Sequence, residues 1–189
     1  MSVEAEILQG CINGEREAQE QLYRRFAPTM LGICMRYTKS RDEADDVMQE
    51  GFIKVFSNIH RFRQEGSFEG WIKRIMVNTA LNHYHKAQKL NSHRNIDDIR
   101  ETDIIDDNTP MPKTRFTQKQ MLDAIQELPE GYRKVFNMYV FEKYKHKEIA
   151  EMLDISVNTS KSQLSKARIY LKKVLIRMEE GLKRNKRNK

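Results

Sequence analysis

The sequence predicts an all-α protein: two small helical domains joined by a flexible linker, the C-terminal one containing a helix-turn-helix. Three observations predict this. Apolar residues recur at helical spacing from Val3 to about Lys86. The spacing is lost across Lys89 to Arg115, where Asn, Asp and Thr accompany Pro110 and Pro112, and the isolated isoleucines cannot line a face. It resumes at Phe116. The expected divisions are residues 1–88, 89–114 and 115–189.

Composition narrows the class before any motif is used. Of the 189 residues, 39% are hydrophobic and 32% charged, with only 8 Gly and 4 Pro, which fits a helix-rich globular chain. The net charge of +7 favours a polyanionic partner, and it is unevenly placed. Met1 to Gln88 holds 12 basic and 12 acidic residues, Lys89 to Thr114 holds 4 and 6, and Arg115 to Lys189 holds 18 and 9, so the excess is C-terminal. Cys11 and Cys34 match neither a disulfide framework nor the close pairs of a zinc site, which points to a reducing compartment. No apolar run approaches the roughly 20 residues of a membrane span, and the N-terminus has no signal-peptide core. A cytoplasmic protein without membrane insertion, metal or other cofactor is expected.

In the first domain the helical pattern is broken at Thr38 to Asp42 and at Gln64 to Ser67, which gives three or four helices. Ser40-Arg41-Asp42-Glu43 has the S-x-x-E form of a capping box and starts a helix through Ala44, Val47, Phe52, Val55 and Phe56. Asp42, Glu43, Asp45 and Asp46 crowd its first turns; carboxylates there can compensate the helix dipole or serve as a contact surface. Across Phe68 to Lys86, the residues Phe68, Ile72, Ile75 and Thr79 form the expected buried stripe. Arg74, Asn78, Asn82 and His85 form a polar stripe about 100° away, with Trp71 on its edge. Amides pair with exposed base edges and aromatics stack on bases, so this stripe suits unpaired nucleotides, although a lone Trp is also an ordinary core residue.

The second domain opens with Met121, Leu122, Ile125 and Leu128, breaks at Pro129-Glu130-Gly131, and continues through Val135, Phe136, Tyr139 and Val140. The helix-turn-helix runs from about Tyr144 to Lys173. Its first helix, His146 to Asp154, turns Ile149, Ala150 and Leu153 inward, and Asp154 and Ile155 make the turn. Glycine is frequent at such turns because the backbone needs positive φ; Asp tolerates that conformation better than most residues. Ser156 is suited to cap the next helix. On that helix Ser160, Leu164, Ala167 and Leu171 fall inward, and Ser160 is polar where an apolar residue is expected. Asn158, Ser162, Ser165, Lys166, Lys172 and Lys173 fall on the opposite side, which carries no carboxylate. Short polar groups near the start of such a helix reach base edges in a major groove while lysines further along neutralise phosphates. The basic end, Lys183 to Lys189, reads as a solvated tail or a loose phosphate contact.

With these residues in place the chain resembles the extracytoplasmic-function (ECF, group IV) sigma factors of the sigma-70 family. Asp42-Glu43-Ala44-Asp45-Asp46-Val47-Met48-Gln49-Glu50-Gly51-Phe52-Ile53-Lys54-Val55-Phe56 resembles their region 2.2. Phe62-Arg63 through Trp71-Ile72-Lys73-Arg74 to Asn82 resembles regions 2.3 and 2.4, and Leu128-Pro129-Glu130-Gly131-Tyr132-Arg133 with the reader that follows resembles region 4. The resemblance implies a protein that binds core RNA polymerase through its largest and second-largest subunits and directs initiation at promoter DNA. Asp45, Asp46, Gln49 and Glu50 become the expected polymerase contacts. Trp71, Arg74, Asn78, Asn82 and His85, with Gln64 and Ser67 of the preceding loop, become expected readers of the minus-ten element. Ser156, Asn158, Thr159, Lys161, Ser162, Ser165, Lys166 and Arg168 are those for the minus-thirty-five element. An anti-sigma factor is a further partner that the resemblance allows. Asn158-Thr159-Ser160-Lys161-Ser162-Gln163-Leu164 stands where the family often has Gly-Thr-Val-Lys-Ser-Arg-Leu, so the promoter sequence does not carry over from other members.

Two rivals follow from the residues alone. One is a two-domain helix-turn-helix regulator that binds operators as a dimer without replacing the polymerase specificity subunit. The other is an enzyme acting on nucleic acid, against which stand the absence of a glycine-rich phosphate loop, of H-E-x-x-H and of a nucleophile paired with a base. His83 and His85 lie about 200° apart on a helix and cannot share a ligand. The acidic pairs Asp97-Asp98 and Asp106-Asp107 fall in the linker and read as solvating charge.

Overall fold

Capping chemistry and apolar spacing set the helices of this protein, whose computed structural model describes the backbone of residues 3–90, 110–112 and 114–187 and the side chains of 5–83, 110–112 and 114–184. Residues 91–109 of the expected linker, with both acidic pairs, lie outside the described residues, as do the side chains of His85 and of residues 185–189. The described residues are helical with short connections, in two compact units that meet in sequence at Arg94 and Asn95.

In the first unit, α1 (Val3–Ile12), α2 (Arg16–Tyr37), α3 (Arg41–Asn58) and α4 (Phe68–Leu90) are joined by short turns, with a 3₁₀ turn at Ile59–Arg61. The continuous helical pattern expected from Val3 is broken at residues 13–15, where Gly14 takes φ +80°. Glycine adopts that conformation without a Cβ penalty, and apolar spacing on either side hides the break from a periodicity argument. The capping box at Ser40 is shifted in its return bond. The Glu43 N–H donates to Ser40 Oγ at 3.2 Å, but the Glu43 carboxylate accepts from the Lys39 N–H at 2.9 Å. Helix α2 packs on α1, α3 and α4, and α3 on α4. Leu22, Met30, Val47, Val55, Ile72 and Met76 are sealed at the centre of this packing. Ile75, expected in the buried stripe of α4, is half-buried; Met76 and Val77 take the interior positions, so the stripe is rotated toward them.

Cys11 and Cys34 are free and buried here. Burial, with the Glu15 carboxylate adding to it, pushes the Cys11 thiol up to about 11. Burial pushes Cys34 up to about 12, so both stay as thiols at neutral pH and pack as small apolar groups.

In the second unit, α8 (Val157–Arg187) packs against α5 (Gln118–Gln126), α6 (Glu130–Val140) and α7 (His146–Leu153). A full capping box opens α5: the Gln120 N–H donates to Thr117 Oγ1 at 3.2 Å and the Thr117 N–H to Gln120 Oε1 at 2.8 Å. The break expected at Pro129-Glu130-Gly131 lies earlier, at residues 127–129, because Pro129 serves as N-cap and Glu130 and Gly131 are already helical. At Gly131 α6 comes close to α8: a Cβ there would lie 3.3 Å from the Gln163 side-chain nitrogen, which would have to shift by a few tenths of an ångström. Helix α8 runs 31 residues, well past the recognition segment. Its later turns hold the incoming chain: the Thr114 N–H donates to the Glu179 carboxylate at 3.0 Å, and the Thr114 hydroxyl and Lys183 Nζ donate to it as well. Those bonds, the Thr114 hydroxyl first, hold the Glu179 carboxyl down at about 2.

Candidate nucleic-acid interface

Helix α4 carries the polar stripe in the arrangement expected from its spacing. Arg74, Asn78 and Asn82 are exposed on successive turns, while Ile72, Met76, Thr79 and Ala80 face the interior. Trp71 is half-buried, neither a core residue nor a loose surface one. Its ring stacks on Phe68 with centroids 5.9 Å apart at 13°, and Phe62 tilts against it at 5.6 Å. Phe68 in turn meets Phe26 of α2 edge-on at 5.9 Å, so the indole is braced by rings that reach the interior. The loop before α4 projects Gln64, exposed at φ +58°, whereas Ser67 is occupied as an N-cap, its hydroxyl accepting from the Gly70 N–H at 3.0 Å. His85 lies on the α4 backbone beyond the described side chains.

Helix α3 presents a second surface. Asp46 and Gln49 are exposed; Asp45 is paired with Arg41 at 3.6 Å and Glu50 with Lys54 at 2.7 Å. Lys54 also donates to Thr79 Oγ1 at 3.2 Å, which ties this acidic face to α4. Ile53, inside the stretch resembling region 2.2 but not among the expected contacts, stands 65% exposed one turn beyond Gln49. An apolar residue among exposed polar ones at i+4 and i+7 spacing is the signal that could have found it.

In the C-terminal unit α7, its turn and the start of α8 form the helix-turn-helix. Asp154 ends α7 in the left-handed conformation, φ +53° and ψ +49°, and the Ile155 N–H closes the turn onto Ala150 O at 3.0 Å. Ser156 caps α8, its Oγ accepting from the Thr159 N–H at 2.9 Å and lying 2.8 Å from Thr159 Oγ1. The Ser162 hydroxyl donates to Thr159 O at 3.0 Å. Three of the expected contact hydroxyls are therefore engaged locally, and Thr159 is half-buried. Asn158, Lys161, Ser162, Ser165, Lys166 and Arg168 are exposed together, in a stretch from Ile155 to Met178 that contains no carboxylate. Ser160 is fully buried, its Oγ 2.9 Å from His146 Nδ1, which gives a physical reason for a polar residue at that inward position.

A braced aromatic beside exposed amides on one unit, and a helix-turn-helix with a basic outward helix on the other, define a class of protein that carries two polar helix faces for nucleic acid in one chain. Comparison with known proteins identifies the class. Residues 22–90 match Sigma-70 region 2 and residues 118–171 match Sigma-70, region 4. The chain is 31% identical over 163 residues to the ECF RNA polymerase sigma-E factor of Haemophilus influenzae, covering 82% of this chain and 86% of the relative. It is 26% identical over 171 residues to the RNA polymerase sigma-H factor of Pseudomonas aeruginosa, covering 86% and 88%. The sigma factor RpoE of Bartonella quintana, solved in complex with the anti-sigma factor NepR, shares the fold with a TM-score of 0.54 at 16% identity, covering 82% of this chain and 95% of that one. CnrH, solved with the cytosolic domain of CnrY, does so at 0.50 and 18% identity, covering 89% and 94%. The chain belongs to the sigma-70 family of RNA polymerase sigma factors, in its ECF group.

Proposed function

We propose that the chain docks on core RNA polymerase through α3 and reads promoter DNA at two places, the minus-ten element with α4 and the minus-thirty-five element with the start of α8. The observation that carries this division of labour is the stripe of Trp71, Arg74, Asn78 and Asn82, exposed or half-exposed on a rigid helix and braced from behind by Phe62 and Phe68. Preorganised amides and an aromatic face cost little ordering when unpaired bases arrive. Asp46, Gln49 and Glu50, with Ile53 added, make a polar docking surface with one apolar anchor. Gln64, Trp71, Arg74, Asn78, Asn82 and His85 are assigned to the minus-ten element, Ser67 acting through its cap. Asn158, Lys161, Ser162, Ser165, Lys166 and Arg168 are assigned to the minus-thirty-five element, with Ser156 and Thr159 shaping the helix start.

On this reading the protein is a binding subunit and not an enzyme, and it works in the cytoplasm; among the described residues no helix is long and apolar enough to cross a membrane. An anti-sigma factor is a further partner, as in the RpoE complex with NepR. Promoter-dependent transcription with purified core polymerase tests the assignment, comparing wild type with the Asn78→Ala/Asn82→Ala variant. The variant is expected to bind core normally and to lose open-complex formation. A wild-type chain that fails to bind core, yet binds an operator tightly as a dimer, would overturn it.

A further inference from the structure

Tyr139 of α6, His146 of α7 and Ser160 of α8 meet where the three helices converge. The imidazole lies on the Tyr139 ring, centroids 4.7 Å apart at 24°, and its Nδ1 is 2.9 Å from Ser160 Oγ. The hydroxyl is fully buried on a face otherwise made of Leu164, Ala167 and Leu171. A hydroxyl sealed there without a partner would lose its hydrogen bonds to water with nothing in return, so the imidazole is what makes serine tolerable at this position. The bond also has direction, which an apolar contact lacks, and it acts in the first turn of the helix whose outward side carries Asn158, Lys161 and Ser162.

We propose that His146 is a positioning residue of the minus-thirty-five reader and its proton-sensitive element: through Ser160 and Tyr139 it fixes the first turns of α8, and it takes up a proton when Lys161 and Arg168 engage DNA phosphates. The inference rests on α8 being the DNA-reading helix. Partial burial, then the positive charges of Lys161 and Arg168, hold the imidazole below its ordinary value in the free protein. Other charged groups of the neighbouring elements do not offset this. On α7 the Glu148 carboxylate is turned onto the Lys145 N–H at 2.8 Å and Lys147 is exposed; α6 offers the Tyr139 ring, and the α6–α7 turn carries Glu142 and Lys143. Phosphates that neutralise Lys161 and Arg168 remove the repulsion and add negative potential, so the bound state favours the imidazolium. Nδ1 then donates to Ser160 Oγ, and the bond persists in both protonation states.

The sign follows from linkage. Binding takes up a proton, so affinity for the element rises as pH falls, by at most about tenfold per pH unit for one proton, and flattens once the free protein is also protonated.

The test uses holoenzyme assembled from the full chain and core polymerase, with promoter DNA carrying or lacking a minus-thirty-five element, between pH 8 and pH 6. Three variants separate proton uptake from packing. His146→Gln keeps an amide for Ser160 but cannot titrate; His146→Phe/Ser160→Val keeps the stack and replaces the polar joint by apolar contact; Ser160→Val alone strands the imidazole. Wild type is expected to gain several-fold in element-dependent affinity from pH 8 to pH 6. The Gln and double variants should each be flat between pH 8 and pH 6, whatever their affinity at pH 8, and Ser160→Val should bind the element more weakly at every pH with core binding unchanged. An equal slope in His146→Gln, or a wild-type slope that persists on DNA without the element, would overturn the proposal. A wild-type holoenzyme that starts no specific transcript would instead count against the promoter-reading function itself.

Discussion

The two units solve the same problem, presenting a polar helix face from a small core, with opposite kinds of interior. Among the described residues, the buried polar groups of the first unit include the Thr38 and Thr79 side chains and the hydroxyl of Tyr37. The second unit buries Arg133, Lys134, Asn137 and Ser160. Apolar packing is strong but non-directional, and it suffices where the reading face lies on long helices such as α2 to α4, whose many contacts fix their orientation. The second unit has a shorter first helix in its reader, eight residues, and fixes the geometry with hydrogen bonds such as His146 to Ser160 and Arg133 Nη1 to Gln126 O at 3.1 Å. Directional interiors specify one arrangement, but they incur desolvation and respond to pH.

The first unit depends on its apolar interior. Leu22 is completely buried among α1, α3 and α4, and Leu22→Ala should destabilise the first unit by about 2–5 kcal/mol through lost transfer energy and a residual cavity. Trp71 is the chain's single tryptophan and lies in this unit, so its fluorescence during urea unfolding reads the loss directly. A change under about 1 kcal/mol would mean that the cavity collapses and that apolar packing is not what orients α3 and α4.

The wet interior makes a prediction of opposite sign. Burial lowers the Lys134 ammonium from 10.5 to about 8, with the Glu130 carboxylate at 3.8 Å opposing that shift. Between those values the unfolded chain binds more protons than the folded one, so stability rises as pH rises from 8 toward 10.5, and the destabilising contribution is fully present below pH 8. Lys134→Met should therefore stabilise the second unit at pH 7, by on the order of 1–3 kcal/mol, less whatever Glu130 loses with its partner. Urea midpoints of wild type and variant at pH 7 and pH 9.5 check it: the gap should narrow at the higher pH. A gap independent of pH would show that the substitution acts through packing alone.

How much of this was legible in the sequence follows the same division. The helix-turn-helix, its Asp154 turn and the Ser156 cap were readable because each rests on local chemistry at adjacent positions. Arg74, Asn78 and Asn82 of α4 and Asn158, Ser162, Ser165 and Lys166 of α8 stand outward where helical spacing alone places them, whereas Lys172 and Lys173 are half-buried. What was not readable depends on partners far apart in sequence. Ser160 stood out as irregular, but its partner His146 lies 14 residues away, on another helix. The engagement of Glu179 by Thr114 spans 65 residues and has no local signature. Ile75 and Gly14 show the other limit: the first is only half-buried because Met76 and Val77 take the core positions, and the second breaks a helix without interrupting its apolar spacing.

Asp154 holds φ +53° at the end of α7, a conformation that costs most residues roughly 1–2 kcal/mol and costs Asp and Asn less. Asp154→Gly should stabilise the second unit by only about 0.5 kcal/mol, because relief of that strain is largely offset by the greater freedom glycine gives the unfolded chain. Asp154→Asn should be close to neutral, and Asp154→Val should lose more than about 1 kcal/mol, since a β-branched side chain fits this region worst. Thermal unfolding of the three variants at one pH gives the order. If the valine variant matched wild type, the turn would be changing its conformation to accommodate it. On the proposed assignment of α8 to the minus-thirty-five element, promoter activity from that element would then fall without any loss of stability, because Asp154 and the His146–Ser160 bond both join α7 to α8.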